Sequence, residues 1–358
     1  MNFTLHVTAD CDLDCRYCYE KHTHDRMSVE TAKKAVDLML SFGHKINGFS
    51  FFGGEPLLCR ELIAETVRYA ASVSEGTEKL LRYRMTTNGT QLDEDFLSLA
   101  DEHHIAIALS HDGVLQDIQR VDRAGRGTAA RLEPKIDMLL AHQPDAIAMM
   151  TVLPENVSRF AEAFRWLYER GFTHINTAID YRPGNRWDDA SMEELDRQYA
   201  LVADYCEAHY DGERPLRYLN FESKIASYLE GRPCIECRLG MKQPSIAPDG
   251  SIYPCNQFLN LAEYRMGDVT HGIDAAAQRR IYEASLKEEP SCRGCALEKR
   301  CRHHCACLNF SMTGDMHEVP RLQCVHEQSV IKNADRMAAK LYERRSPGFM
   351  KAYGEKSK

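Results

Sequence analysis

No stretch of the chain approaches the ~18 consecutive apolar residues of a membrane-spanning helix, so a transmembrane segment is not expected. Basic charge is also scarce. Lys and Arg number 45 against 53 Asp and Glu, a formal charge of −8, and general nucleic-acid binding ordinarily needs a basic face. The N-terminus, Met1-Asn2-Phe3-Thr4-Leu5, lacks a basic segment followed by an apolar core, so no secretory signal is read there. Internal repeats and low-complexity segments are missing too. These absences describe a cytoplasmic globular protein with neither membrane nor nucleic acid as its partner. At 358 residues, 44% hydrophobic and 27% charged, it has room for one large domain and a smaller one.

Cysteine is what the chain does have, with fourteen residues. Cytosolic thiols stay reduced, and disulfide frameworks belong mainly to small secreted domains. Clustered reduced cysteines are then metal or cluster ligands. Three of them, Cys11, Cys15 and Cys18, form the run Cys-x3-Cys-x2-Cys directly after an alternating, strand-like segment at residues 2–8. Three thiolates on a tight loop can hold three irons of a [4Fe–4S] cube and leave the fourth open, whereas most electron-transfer clusters take four cysteines. A zinc site is the alternative, completed by His22 or His24.

Strand and helix patterns alternate after the loop. Ser28 caps a helix with the apolar stripe Ala32, Ala35, Val36, Met39 and Leu40. Strands are predicted at 46–52, 81–86, 105–109, 146–152 and 174–179, with helices near 61–71, 93–103, 129–140, 158–170 and 192–210. Six strands alternating with helices imply parallel βα units, too few for a closed eight-fold barrel. The expected fold is therefore α/β, a partial (βα)6 TIM-like barrel. Beyond residue 230 nine cysteines lie between Cys234 and Cys324, with too little apolar periodicity for a separate core. The expected layout is a barrel over 1–212, a bridging segment over 213–233, a cysteine-rich domain over 234–330, and a C-terminal helix with a polar tail over 331–358.

The Cys11-x3-Cys15-x2-Cys18 run, with Tyr17 just before the last cysteine, resembles the signature of the radical SAM superfamily. That resemblance implies an iron–sulfur cluster whose open iron is chelated by S-adenosylmethionine. It implies that Gly53-Gly54-Glu55-Pro56 binds the methionine moiety, with the glycines letting backbone approach the ligand and Glu55 accepting from its ammonium. Thr87 and Asn88 after the third strand, and Ser110 after the fourth, resemble positions that touch the ribose and carboxylate. Arg123 resembles a basic residue near the carboxylate, and Tyr17 packs near the adenine on the same basis.

The C-terminal array resembles the SPASM domain of peptide-modifying members of that superfamily. Cys237 is followed after twelve residues by Gly250 and after four more by Cys255; then come Cys292-x2-Cys295-x5-Cys301-x3-Cys305 and, eighteen residues on, Cys324. The resemblance implies two auxiliary [4Fe–4S] clusters, three clusters in all. It gives one to Cys237, Cys255, Cys305 and Cys234, and the other to Cys292, Cys295, Cys301 and Cys324. Without Cys234 the first would keep an open iron. Cys59, Cys206 and Cys307 are left over and read as structural thiols; His303 and His304 read as surface or supporting residues.

The implied activity is reductive cleavage of S-adenosylmethionine to a 5′-deoxyadenosyl radical, which takes hydrogen from a peptide or small-protein substrate. A thioether or carbon–carbon crosslink in a ribosomally made peptide is the leading expectation. A formylglycine-forming sulfatase maturase, a peptide epimerase and a non-catalytic zinc or electron-transfer protein are the alternatives. Sulfatase maturases of this type carry Asp as base after the second cysteine of the domain. This chain has Asn256, which accepts no proton at neutral pH. A flavodoxin or ferredoxin reductant is implied. Only ten residues precede Cys11, so leader binding is expected to fall to a separate protein or to the bridging segment.

Overall fold

The computed structural model describes residues 1–181, 187–231, 238–286, 290–303 and 305–354. The strands the argument uses are β1 (Asn2–Thr8), β2 (Leu13–Cys15), β3 (Ile46–Gly53), β4 (Leu80–Thr87), β5 (Ile105–Ser110), β6 (Arg120–Asp122), β7 (Ile147–Val152), β8 (His174–Ile179), β9 (Arg217–Tyr218), β10 (Ser245–Ile246) and β11 (Ile252–Tyr253). The helices the argument uses are α1 (Val29–Ser41), α2 (Arg60–Ser74), α3 (Glu94–Glu102), α4 (Gln116–Gln119), α5 (Ala129–His142), α6 (Phe160–Arg170), α7 (Asp189–Ala208), α8 (Leu219–Glu230), α9 (Ala275–Ser285), α10 (Ala306–Thr313), α11 (Arg321–Glu343) and α12 (Pro347–Tyr353). No helix among the described residues is long and apolar enough to cross a membrane. The six expected strands are present as β1, β3, β4, β5, β7 and β8, and the fold is α/β with parallel strands.

The chain gathers into two compact units. The first comprises Met1–Ser110, Arg120–Gln143 and Cys237–Leu286. In it β1, β3, β4 and β5 pair in parallel, with Leu5 opposite Phe51, Phe51 opposite Met85 and Met85 opposite Ile107. One face of β1 (Phe3, Leu5, Val7) is fully buried. Helices α1 and α2 each bury one stripe, Ala32, Ala35, Val36 and Met39 on the first and Leu62, Ile63, Val67 and Ala70 on the second. Ser28 caps α1 by accepting from the Thr31 amide.

Two features of this unit escaped the sequence pattern. β2 and β6 form a short antiparallel ladder in which Cys15 lies opposite Arg120. Residues from the cysteine-rich part also extend the sheet: β10 joins β1 in parallel and β11 joins β10, so Ile246 and Ile252 are buried with the barrel strands. The compact unit therefore crosses the domain boundary expected at residue 234, because a segment too small for its own core completes a sheet edge.

The second unit comprises His111–Gln119, Pro144–Glu236 and Lys287–Lys358. β7 pairs in parallel with β8, and β8 with β9. Rings from several elements build its core: Phe160 and Phe164 of α6, Tyr199 of α7, Tyr218 of β9 and Phe221 of α8. Phe164 meets Tyr218 edge-on at 5.1 Å, and Phe160 meets Tyr199 at 5.3 Å. The C-terminal end departs from the polar tail expected there. α11 starts at Arg321 and is followed by α12, which Ser346 caps and which buries Phe349 and Tyr353.

Phe164 is completely buried, so Phe164→Ala should cost about 3–5 kcal/mol of unfolding free energy. Urea denaturation followed by circular dichroism checks this; a loss under ~1 kcal/mol would show that the ring cluster is not the core of this unit.

Candidate active site

The end of β3 determines where the first cysteine loop begins. Gly53 has φ +128°, and a Cβ there would lie 2.1 Å from the Thr8 carbonyl oxygen. A Cβ on Gly54 would meet the Asp10 carbonyl at the same distance. The Gly54 amide donates to Thr8 O at 2.9 Å and the Glu55 amide to Asp10 O at 2.8 Å. The two glycines thus bring β3 against the chain leading into Cys11. Their steric role is toward this protein's own backbone, where the sequence suggested a ligand.

The Glu55 carboxylate is buried and accepts from Thr87 Oγ1 at 2.6 Å, Asn88 N at 2.7 Å and Leu57 N at 3.0 Å. It ties the end of β3 to the end of β4. Burial pushes its pKa up to about 7 despite the three donors.

Asn88 then reaches the loop. Its Nδ2 donates to Asp12 Oδ1 at 2.8 Å and stands 3.7 Å from Cys11 Sγ, which also accepts from the Leu13 amide at 3.4 Å. Asp12 further accepts from Thr90 Oγ1 and Gln91 Nε2. Its role was missed because an acidic residue between two cysteines has no pattern of its own. Asp10 was missed likewise: it pairs with Arg123, with His24 at 3.4 Å and with Arg26 at 3.6 Å. Burial raises its pKa, but hydrogen bonds from Arg123 and His24 outweigh that and hold it below the usual range. Arg123 is thus engaged with the residue before Cys11. Tyr17 is half-buried under the Arg120 guanidinium, 5.1 Å from the ring centre. Ser110 ends β5, half-buried.

Cys11, Cys15 and Cys18 are thiols outside any disulfide on one short segment, closed by the Cys18 amide donating to Cys15 O at 2.9 Å. Burial pushes the Cys11 thiol up to about 12, against the pull of the Leu13 amide. The donor set, three thiols with N–H groups aimed at one sulfur, fits an iron–sulfur cluster. His22 Nε2 lies 3.4 Å from Cys18 Sγ. Among the described residues no three His, Cys, Asp or Glu side chains are gathered as for a single metal ion.

Of the other cysteines, Cys234 and Cys237 lie outside the described residues, as does His304. Cys255, in the first unit, donates to Asn256 Oδ1 at 2.9 Å, and Asn256 Nδ2 donates to Tyr19 Oη at 3.1 Å. The second unit holds Cys292, Cys295, Cys301, Cys305 and Cys324. Cys295 N donates to Cys292 O, and Cys324 sits in the first turn of α11, where Gln328 reaches its sulfur at 3.2 Å. The segment around Cys301 is tied down by a buried ion pair. Lys224 Nζ meets Glu327 Oε2 at 2.6 Å and Arg300 O at 2.9 Å, and Glu327 also accepts from the Arg302 amide at 2.8 Å. Cys59 and Cys206 are buried, and Cys307 lies next to Cys305 in charge terms, its hydrogen bond lowering the Cys305 thiol to about 6.

Residues 5–167 match the family model of the Radical SAM superfamily. The chain is 26% identical over 327 residues to a serine-type anaerobic sulfatase-maturating enzyme of Klebsiella aerogenes, covering 82% of this chain and 76% of that protein. It is 22% identical to a cysteine-type anaerobic sulfatase-maturating enzyme of Clostridium perfringens strain 13, covering 84% and 86%. Among solved structures, native anSMEcpe with bound AdoMet and Cp18Cys peptide superposes with a TM-score of 0.81 at 19% identity, over 94% of this chain and 98% of that one. Streptococcus suis SuiB bound to its precursor peptide SuiA gives 0.63 at 15%, over 90% and 75%. These likenesses establish the shared fold.

The buried carboxyl of Glu55 makes a pH-dependent prediction. Between its ordinary value of 4.5 and about 7 the unfolded chain is ionised while the folded one keeps its proton. Folding then takes up a proton, so stability falls as pH rises through that window and levels off above it. Glu55→Gln lacks this penalty, and its unfolding free energy relative to wild type should improve by about 3 kcal/mol from pH 4.5 to 7.5. A difference independent of pH, in urea titrations at each pH, would refute the assignment.

Proposed function

We propose that the chain is a radical SAM peptide maturase that oxidises a ribosomally made peptide by two electrons and closes a thioether or carbon–carbon crosslink. Cys11, Cys15 and Cys18 would hold the [4Fe–4S] cluster and leave an iron for S-adenosylmethionine. Bound together, these cofactors supply a carbon-centred radical able to take hydrogen from an unactivated C–H bond. The protein's own residues do the positioning. The Leu13 amide and the Asn88 side chain donate toward Cys11 sulfur, which tunes the potential of a bound cluster. The Asp10–Arg123 pair holds the entry to the loop, and the β2–β6 ladder holds its middle through Leu13–Cys15. Cys292, Cys295, Cys301 and Cys324 would take one auxiliary cluster; Cys255 and Cys305, with Cys234 and Cys237, would take the other. Such clusters suit a reaction that must dispose of one electron after hydrogen removal.

Asn256 carries the choice of crosslinking. Its amide is held between Cys255 and Tyr19, and an amide gives no proton-accepting carboxylate at that position. Formylglycine formation is the second reading, favoured by the similarity to sulfatase-maturating enzymes over more than four-fifths of the chain. A flavodoxin or ferredoxin as electron donor, and a separate leader-binding protein, complete the proposal.

Anaerobic reconstitution should give about twelve irons per chain, and replacing Cys11, Cys15 and Cys18 by Ala should leave about eight. With dithionite, S-adenosylmethionine and a synthetic cysteine-bearing peptide drawn from the short reading frames neighbouring the gene, mass spectrometry should show loss of two hydrogens with no aldehyde that a hydrazide can trap. A trapped aldehyde would replace the crosslinking reading with formylglycine formation. Zinc in place of iron would remove both.

A further inference from the structure

Two buried polar atoms beside β1 have no hydrogen-bond partner among the described residues. Strand alternation puts Thr4, His6 and Thr8 on the face opposite Phe3, Leu5 and Val7. His6 is 2% exposed, and its Nε2 has no hydrogen-bond partner among the described residues. Glu20 Oε1 is in the same state, 3.9 Å from His6 Nδ1 and beyond hydrogen-bond reach. Leaving such a group unpaired costs about 1–3 kcal/mol, a cost that a fold ordinarily avoids unless something else completes the pair. The surroundings do not complete it. Phe52 presents its ring to His6 at 5.5 Å, and Gln243 is engaged with Thr4 and Ser50 farther along the same face. The next residue to Glu20 is Tyr19, whose hydroxyl is held by Asn256, so this pair and the amide that cannot act as base belong to one neighbourhood.

We propose that His6 is the proton acceptor of the peptide oxidation, with Glu20 behind its Nδ1. The inference rests on the crosslinking reading and names the group that reading still needs. In thioether closure the C–H hydrogen would leave as an atom, taken by the radical that the bound cofactors supply. The thiol hydrogen would leave as a proton to His6 Nε2 as the sulfur–carbon bond forms, and a bound, oxidised iron–sulfur cluster would supply the acceptor for the remaining electron. The ring geometry suits this. Nε2 is the free nitrogen, and Nδ1 faces the carboxyl, the arrangement in which a second group orients a catalytic histidine. Burial holds the imidazole down to about 4, so the ring is neutral at working pH and one of its nitrogens carries an unprotonated lone pair.

The test compares wild type, His6→Gln and His6→Ala, reconstituted anaerobically and matched for iron content and melting temperature. Each receives dithionite, S-adenosylmethionine and the same synthetic cysteine-bearing peptide; the readout is crosslinked peptide per S-adenosylmethionine cleaved. Both variants should lose about 100-fold or more in this ratio, the usual scale of a general base, and added imidazole should partly restore His6→Ala. A wild type that makes no crosslink overturns the crosslinking reading and this inference with it. A working wild type with an unchanged ratio in His6→Gln overturns the inference alone. So does a His6→Ala enzyme that imidazole fails to rescue and whose cleavage without peptide falls in step, since His6 would then serve the cofactor or the fold.

Discussion

Everything at the candidate site depends on two backbone hydrogen bonds, from Gly54 to Thr8 and from Glu55 to Asp10. They form only because neither residue 53 nor residue 54 has a Cβ to collide with the carbonyls it approaches. The end of β3 is thereby fixed against the exit of β1, and the exit of β1 is the start of the cysteine loop. Glu55, placed by the same contact, turns inward and takes three donors from its own 3-10 turn and from β4. Asn88 follows from that and reaches both Asp12 and the first cysteine. One steric allowance thus propagates through a carboxylate and an amide to a cluster-ligand sulfur.

The fold was largely readable from period and composition. The six parallel strands and most helices follow from alternation and apolar stripes, and β8 spans the residues its pattern indicated. What could not be read shares a physical cause. The β2–β6 ladder has three residues on each side, separated by more than one hundred positions, so neither strand carries a signal alone. The first turns of α11 bury Gln323, His326, Glu327 and Ser329, polar residues that erase the expected apolar period until Val330. Hydrogen bonding rather than hydrophobicity holds that segment, with His326 Nε2 bonded to the Tyr199 hydroxyl at 2.8 Å.

At the site itself, cysteine spacing pointed to the loop, while the roles of the surrounding residues needed the structure. Gly53, Gly54 and Glu55 stand together in the sequence, and in the structure they meet Thr8, Asp10, Thr87 and Asn88. Arg123 was singled out for a ligand carboxylate and is found on Asp10. A tetrapeptide or a lone arginine has several possible partners in sequence, and only the register of β1 against β3 decides among them. His6 illustrates the reverse case. A histidine in an alternating strand is ordinary in sequence, and it stands out only once its Nε2 is seen to be buried and unpaired.

The second unit solves a different problem, holding cysteine-bearing turns that have few apolar side chains to pack. Such a segment gains little from hydrophobic burial and would sample many arrangements. A buried ion pair adds little net stability, because desolvation offsets most of its attraction, but it is exacting about geometry. Lys224 and Glu327 are 3% and 4% exposed, and between them they bind the carbonyl of Arg300 and the amide of Arg302. Those are the two backbone groups on either side of Cys301. The pair therefore fixes the direction in which this cysteine leaves the chain, from one helix at residue 224 and another at residue 327. A hydrophobic pair of equal volume would fill the space without specifying the orientation of either peptide group.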